Sequence, residues 1–182
     1  MSRFEIRNEP PPGELEEALL DAAFGMERRT KTSYRLREGS APVEGLQFSA
    51  WDSASGRLAG VVSLWPLKIA PAGEDALLLG PLAVHPDFQN DGLGSALIRV
   101  ALDAARERGH GLVFLVGDAP YYQRHGFQQV PRGRIQLPGP FDPARLLYLP
   151  LRAGAFDGVR GLLLPAYRFT AAEAVDCTRS SA

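Results

Sequence analysis

The chain has 182 residues, enough for one domain with a sizeable buried core, and its 45% hydrophobic and 23% charged content is that of an ordinary globular protein. A net charge of −1 gives no footing for nucleic acid or for an anionic membrane surface. The single cysteine, Cys177, makes no internal disulfide, and no cysteine or histidine cluster suggests a metal site.

The opening residues, "MSRFEIRNEPPPG", lack the apolar core of a signal peptide, and no apolar run reaches the roughly 18 residues of a membrane span. A cytoplasmic protein is expected, with one domain over residues 1–170 and a tail at 171–182. "FEIRNE" alternates as a first strand, and "PPP" at 10–12 ends it. "GELEEALLDAAFG" has helical spacing at Leu15, Ala18, Leu19, Ala22 and Ala23, with Gly25 as the stop. "ERRTKTSYRLREG" reads as a second, more polar helix.

"GLQFSAWDSASGRLAGVVSLWPLKI" reads as a hairpin turning at "DSASG". "ALLLGPLAVHP" then forms a nearly continuous apolar strand, as expected of one buried on both faces. Gly80-Pro81 interrupts it. Proline removes a ladder donor, so this strand is expected to bulge or splay from its neighbour there. The following helix keeps Leu93, Leu97, Val100, Ala101 and Ala104 on one side and stops at Gly109. "GLVFLV" is a second buried strand, which makes strand, helix and strand a right-handed parallel unit. "GDAPYYQRHGFQQV" gives a short helix with Pro120 in its first turn, then a strand at Phe127, and "GVRGLLLPAYRF" supplies one more strand. The expected fold is an α/β domain with flanking helices and a mixed, mostly antiparallel sheet of about six or seven strands, one pair parallel and splayed.

Two glycines at the start of a helix need a reason, since glycine costs about 1 kcal/mol per interior helical residue against alanine. Residues 89–95, "QNDGLGS", lead into a helix N-terminus, whose unsatisfied N–H groups and roughly half a positive charge suit an anion. Gly92 and Gly94 clear the approach of a phosphate, Ser95 can add a hydroxyl, and Asp91 is the expected N-cap. A P-loop would place Lys before the Ser or Thr, and Ser95-Ala96 follows Gly94 instead. A dinucleotide fingerprint would place Gly or Ala where Leu97 stands. The competing account is that Gly92 and Gly94 merely let helix and strand pack closely.

"LAVHPDFQNDGLGSALI" resembles motif A of the GCN5-related N-acetyltransferases (GNAT), with Gln89, Gly92 and Gly94 matching Gln/Arg-x-x-Gly-x-Gly/Ala. "YYQRHGF" resembles the family's next signature, Tyr-x-x-x-Gly-Phe, through Tyr122, Gly126 and Phe127. "GPLAV" and "GDAPYYQRHGF" are similar to the bacterial YhbS-like branch, firmly over residues 76–130 and loosely over 3–170.

The resemblance implies an acetyl-CoA-dependent N-acetyltransferase acting on a primary amine, with acetyl-CoA between splayed strands at 76–85 and 111–116. It implies that the main chain of Leu82, Ala83 and Val84 pairs with the pantetheine arm. Amides of Gln89, Asn90, Asp91, Gly92, Leu93, Gly94 and Ser95 would hold the pyrophosphate, and the acetyl group would border Val116 and Gly117. Tyr122 would be the acid for the departing thiolate. Its other reading is a packing aromatic, and Tyr121 is expected to pack or to line the pocket.

The glutamate that several members carry on the strand before motif A is absent from "LLLGPLAV", so the base is a residue not identified or a water chain. His85 is expected at the surface or behind the site, and His110 and His125 in a loop and at a helix end. Glu27 and Arg28 either contact substrate or lie on a solvated helical face. The missing glutamate also leaves open a non-catalytic acetyl-CoA- or CoA-binding regulatory module. Acceptor choice is expected to lie in residues 10–40, 66–75 and 131–160. Within the last, "PRGRIQLPGPFDPARLLYLP" lines an acceptor site, forms a contact between two copies, or is an ordinary long surface connection.

Overall fold

The computed structural model describes residues 2–169. The expected tail at 171–182, with Cys177, lies outside them. Among the described residues nine strands carry the fold: β1 Phe4–Arg7, β2 Gln47–Asp52, β3 Leu58–Ala70, β4 Glu74–Val84, β5 Leu112–Val116, β6 Gln128–Gln129, β7 Ile135–Gln136, β8 Leu146–Pro150 and β9 Gly161–Pro165. The helices are α1 Gly13–Phe24, α2 Thr32–Arg35, α3 Leu93–Glu107 and α4 Ala119–Gln123. Strands hydrogen-bond in the order β1-β2-β3-β4-β5-β8-β6, with β9 beside β3 and β7 beside β9. The sheet is mixed and mostly antiparallel, as expected. Among the described residues two pairs are parallel rather than one, β4 with β5 and β7 with β9.

The residues form two compact units. One gathers the chain through Thr30 with Pro42–Leu64 and Leu79–Arg108, the other Lys31–Ala41, Trp65–Leu78 and the residues from Gly109. In the first unit, β1 and β2 form an antiparallel ladder from Phe4 opposite Asp52 to Arg7 opposite Ser49. Leu19 and Leu20 of α1 bury against Leu58, Val61 and Ala83, while Leu15 is 45% exposed and outside the apolar face that spacing assigns it. The polar helix expected after α1 is broken into a 3₁₀ turn at Met26–Thr30 and the four-residue α2. Within the 3₁₀ turn, Arg28 reaches back onto α1. Its side chain is only 2% exposed and pairs with Glu17 at 2.5 Å and Asp21 at 2.8 Å on α1, so it lies on no solvated face. A buried charge needs such partners. The Arg28 guanidinium in turn holds the Glu17 carboxyl below the usual carboxylate range.

α3 buries Leu93, Leu97, Ile98, Ala101, Leu102 and Ala105. That arc is centred beyond the expected one, leaving Val100 and Ala104 at its edge. Gly60 of β3 lets the helix settle: a Cβ there would stand 2.9 Å from Leu97 Cδ1, 3.0 Å from the Ala83 carbonyl oxygen and 3.3 Å from Leu93 Cδ2.

In the second unit, β3 pairs with β9 from Leu67 opposite Pro165 to Ala70 opposite Leu162. The rungs with β2 end earlier, at Ser63 opposite Gln47. Pro66, which has no N–H to give, falls at the handover. β4 and β5 share two rungs, Leu77 with Val113 and Leu78 with Phe114, ending two residues before the Gly80-Pro81 interruption. Gly80 takes φ 141°, a conformation glycine tolerates and other residues rarely adopt.

The strands expected at Phe127 and in "GVRGLLLPAYRF" are β6 and β9. The proline-rich segment between them is no plain surface connection. It holds β7 and β8, and β8 pairs with β5 along its whole length, from Leu112 opposite Pro150 to Val116 opposite Leu146. Ile135, Leu137 and Leu146 join the core of Leu36, Leu67, Ile69, Leu78, Phe114 and Leu163. Arg134 braces the segment by donating from Nε to the Val159 carbonyl at 2.7 Å, its guanidinium 4.2 Å from the Phe156 ring centroid.

Candidate functional site

In the first unit, β4 ends at Val84 and a short 3₁₀ turn, Pro86–Phe88, carries the chain to the glycine turn. His85 caps this turn. Its Nδ1 accepts the Asp87 N–H at 3.2 Å, and its backbone N–H donates to the Ala59 carbonyl at 2.8 Å. Phe88 is buried against Phe4, ring edge to ring face, with centroids 5.9 Å apart. Gln89 then reaches back, donating from Nε2 to the Val84 carbonyl at 3.3 Å, so the side chain that marks the motif ties the turn to the strand before it.

Asn90 takes φ 69° and Gly92 φ 75°. Asparagine and glycine are the residues that accept left-handed backbone most readily. Gly92, not Asp91, is the N-cap of α3, and as a glycine it brings no capping side chain of its own. The expected capping by Asp91 fails because its carboxylate is paired with Arg3 Nη1 instead. A Cβ on Gly92 would meet nothing within 4 Å. Close packing therefore does not account for Gly92. That role belongs to Gly60, a glycine inside an apolar strand, where such a residue signals close approach.

Leu82, Ala83, Val84 and the turn from Gln89 through Asn90, Asp91, Gly92, Leu93 and Gly94 to Ser95 thus all lie in the first unit. Ala83 and Leu93 are buried; Leu82, Val84, Gly94 and Ser95 are partly exposed; Gln89, Asn90, Asp91 and Gly92 are exposed.

Tyr122 belongs to the second unit, on α4, whose first residues follow Asp118 with Pro120 in the first turn. Its N–H donates to the Asp118 carbonyl at 3.2 Å. The ring meets Tyr121 edge to face, with centroids 5.0 Å apart, and Phe127 at 5.9 Å. Burial pushes the phenol up to about 12, Tyr121 and Asp118 adding to the rise and Arg145 opposing it. His125 packs on Tyr121, centroids 5.6 Å apart. Sequence reasoning missed Arg3 and Arg145 altogether, because each acts through a residue far away in sequence and sits in no pattern. Among the described residues no group of three histidine, cysteine, aspartate or glutamate side chains could hold a metal, and no helix is long and apolar enough to cross a membrane.

Residues 45–129 match the acetyltransferase (GNAT) domain model. The uncharacterized N-acetyltransferase YhbS of Escherichia coli strain K12 is 30% identical over 149 residues, covering 81% of this chain and 86% of that protein. The chain belongs to the GNAT N-acetyltransferase family. The E. coli YhbS structure in complex with CoA matches with a TM-score of 0.76 at 28% identity, covering 92% of this chain and 94% of that one. A GNAT acetyltransferase from Brucella melitensis in complex with acetyl-CoA shares the fold, with a TM-score of 0.64 at 24% identity over 90% of this chain and 97% of that one. The GNAT match spans the glycine turn and α4 alike, and so covers every residue that the motifs single out.

Proposed function

We propose that this GNAT chain transfers an acetyl group from acetyl-CoA to a primary amine by direct attack of the neutral amine on the thioester. The observation that carries the proposal is the glycine start of α3, with Gly92 as N-cap in left-handed backbone, an exposed turn leading into it, and that turn tied by Gln89 to Val84. Such an N-terminus presents N–H donors and about half a positive charge, and coenzyme A brings a diphosphate to match. Amides from Gln89 to Ser95 hold that diphosphate, and the main chain of Leu82, Ala83 and Val84 runs beside the pantetheine arm. The CoA bound to E. coli YhbS supports this reading.

In the reaction an N–C bond forms, the C–S bond breaks with its electron pair leaving on sulfur, and the amine sheds one proton. Tyr122 donates to the departing sulfur. With the phenol at about 12 it is neutral at any working pH, whereas an alkyl thiol such as cysteine's titrates near 8.5. Complete proton transfer from phenol to thiolate is therefore uphill by roughly three to four powers of ten. The phenol's contribution is a hydrogen bond that strengthens as charge develops on sulfur, while the proton shed by the amine balances the thiol. The only carboxylates on β4, Glu74 and Asp75, lie at its exposed start, Asp75 paired with Lys68 at 2.8 Å.

A thiol-release assay with acetyl-CoA against small amines, aminoglycosides, amino acids and peptides tests the proposal. Acetyl-CoA-dependent release of thiol with one of these classes is expected. Tight acetyl-CoA binding with no release across the panel would leave a non-catalytic CoA-binding module in its place.

A further inference from the structure

We propose that Gly117, gripped by Arg145, is a positioning residue that seats the Tyr122 ring; this rests on the reading of Tyr122 as the donor to the departing sulfur. Gly117 directly follows β5 and is buried. Its backbone lies outside the left-handed region, so conformation does not demand glycine there. Contact does. A Cβ at Gly117 would stand 2.4 Å from Cε2 and 3.0 Å from Cδ2 of Tyr122, and 3.1 Å from Leu115 Cδ1. The phenol ring lies flush on bare main chain, in the space any side chain would take.

The seat is itself fixed. The Gly117 N–H donates to the Arg145 carbonyl at 2.9 Å, and Arg145 Nε lies 3.4 Å from the Gly117 carbonyl oxygen, towards which it donates. Arg145 is held in turn by the Asp142 turn: its N–H donates to the Asp142 carbonyl at 3.0 Å, and Asp142 Oδ1 accepts the Ala144 N–H at 2.9 Å. Tyr121 and Phe127 close on the same ring, so main chain and neighbouring rings together fix its position. The Arg145 charge also acts on the phenol, easing its ionisation against the effect of burial. A donor aimed at developing charge depends on placement, and an error of about 1 Å can cost about a hundredfold in rate.

The experiment is a cycle of Gly117→Ala and Tyr122→Phe, with the affinity for free CoA, which lacks the acetyl group expected beside Gly117, and for acetyl-CoA measured alongside kcat for whichever amine supports turnover. Gly117→Ala is expected to lower kcat about 10- to 100-fold while the CoA Kd stays within about twofold. In the Tyr122→Phe background it is expected to add nothing further, because the hydroxyl it misplaces is already gone. An unchanged kcat in Gly117→Ala overturns the proposal, and so does an equal further loss in the Tyr122→Phe background. Full rate in Tyr122→Phe with Gly117 intact removes the donor reading itself, and the positioning role with it. Arg145→Met provides a second route should Gly117→Ala not fold: a kcat loss of about 3- to 10-fold without change in acetyl-CoA Kd is expected, again absent in the Tyr122→Phe background. Rate loss in Arg145→Met that persists in that background overturns the grip.

Discussion

Gly92 and Gly117 are the same residue used for opposite ends. At Gly92 a side chain would find empty space, and the difficulty is the backbone, at φ 75°. At Gly117 the backbone is ordinary, and the difficulty is the Tyr122 ring 2.4 Å from where a Cβ would go. On the proposed reading, one glycine keeps main-chain donors open to a ligand; the other makes room for a side chain already there. The first region would then work through the peptide, the second through a phenol that peptide and aromatic neighbours hold in place.

The largest expected effect falls on the second region. Tyr122→Phe should lower kcat by about 10²- to 10³-fold with folding and acetyl-CoA affinity intact, the span typical of removing one preorganised hydrogen-bond donor to developing charge. Steady-state kinetics with a circular-dichroism control reads it, and an unchanged rate would show that the phenol only packs. On the first region, Gly92→Val should weaken acetyl-CoA binding about tenfold and cost about 1–2 kcal/mol of stability through the left-handed backbone alone. Calorimetric titration and urea unfolding separate the two effects. If affinity holds while stability falls, the comparison breaks, because Gly92 then serves the chain and no ligand.

A smaller effect follows from the buried phenol. Its value is near 10 in the unfolded chain and about 12 in the fold, so the native state holds its proton more tightly. The associated stability is fully present below pH 10 and is lost as pH rises through 12. Between pH 9 and 11, wild type should therefore lose about 1 kcal/mol more than Tyr122→Phe in urea unfolding, the other titrating groups being common to both. Parallel losses would place the phenol in water.

The glycine turn was legible in sequence because its parts are local. An apolar strand, a run with two glycines and a helix of regular apolar period occupy consecutive residues, and each announces itself by spacing. The seat of Tyr122 was not, since what makes Gly117 necessary is a contact that no periodicity encodes. β8 hid for another reason: "LLYLP" is a short apolar run beside "PGPFDPAR", and prolines on both sides suggest a connection until β5 is seen to need a partner. Arg28 misled because hydropathy counts an arginine as solvated, whereas Glu17 and Asp21 lie close enough to bury it. Asp91 misled likewise, as a good capping residue claimed by an arginine 88 positions earlier.

That claim yields the smallest and sharpest test of the first region. Asp91 sits beside Gly92 in the turn proposed to hold a diphosphate, and a free carboxylate there would repel it. Arg3 engages Asp91, reaches Asp52 at 3.4 Å, and lies over the Phe4 and Phe88 rings at 5.2 and 5.4 Å. As a surface ion pair it should add little to stability, about 0–1 kcal/mol. If the turn holds a diphosphate as proposed, its value is to cancel a charge that the ligand would otherwise meet. Arg3→Ala should therefore raise the acetyl-CoA Kd about two- to fivefold at low salt and less at high salt, since exposed charges are screened. Adding Asp91→Asn to Arg3→Ala should restore the affinity, because the charge left uncompensated is then gone. A double variant as weak as Arg3→Ala alone would mean that Arg3 supports the loop by packing on its rings, and that the turn tolerates a carboxylate beside its anion.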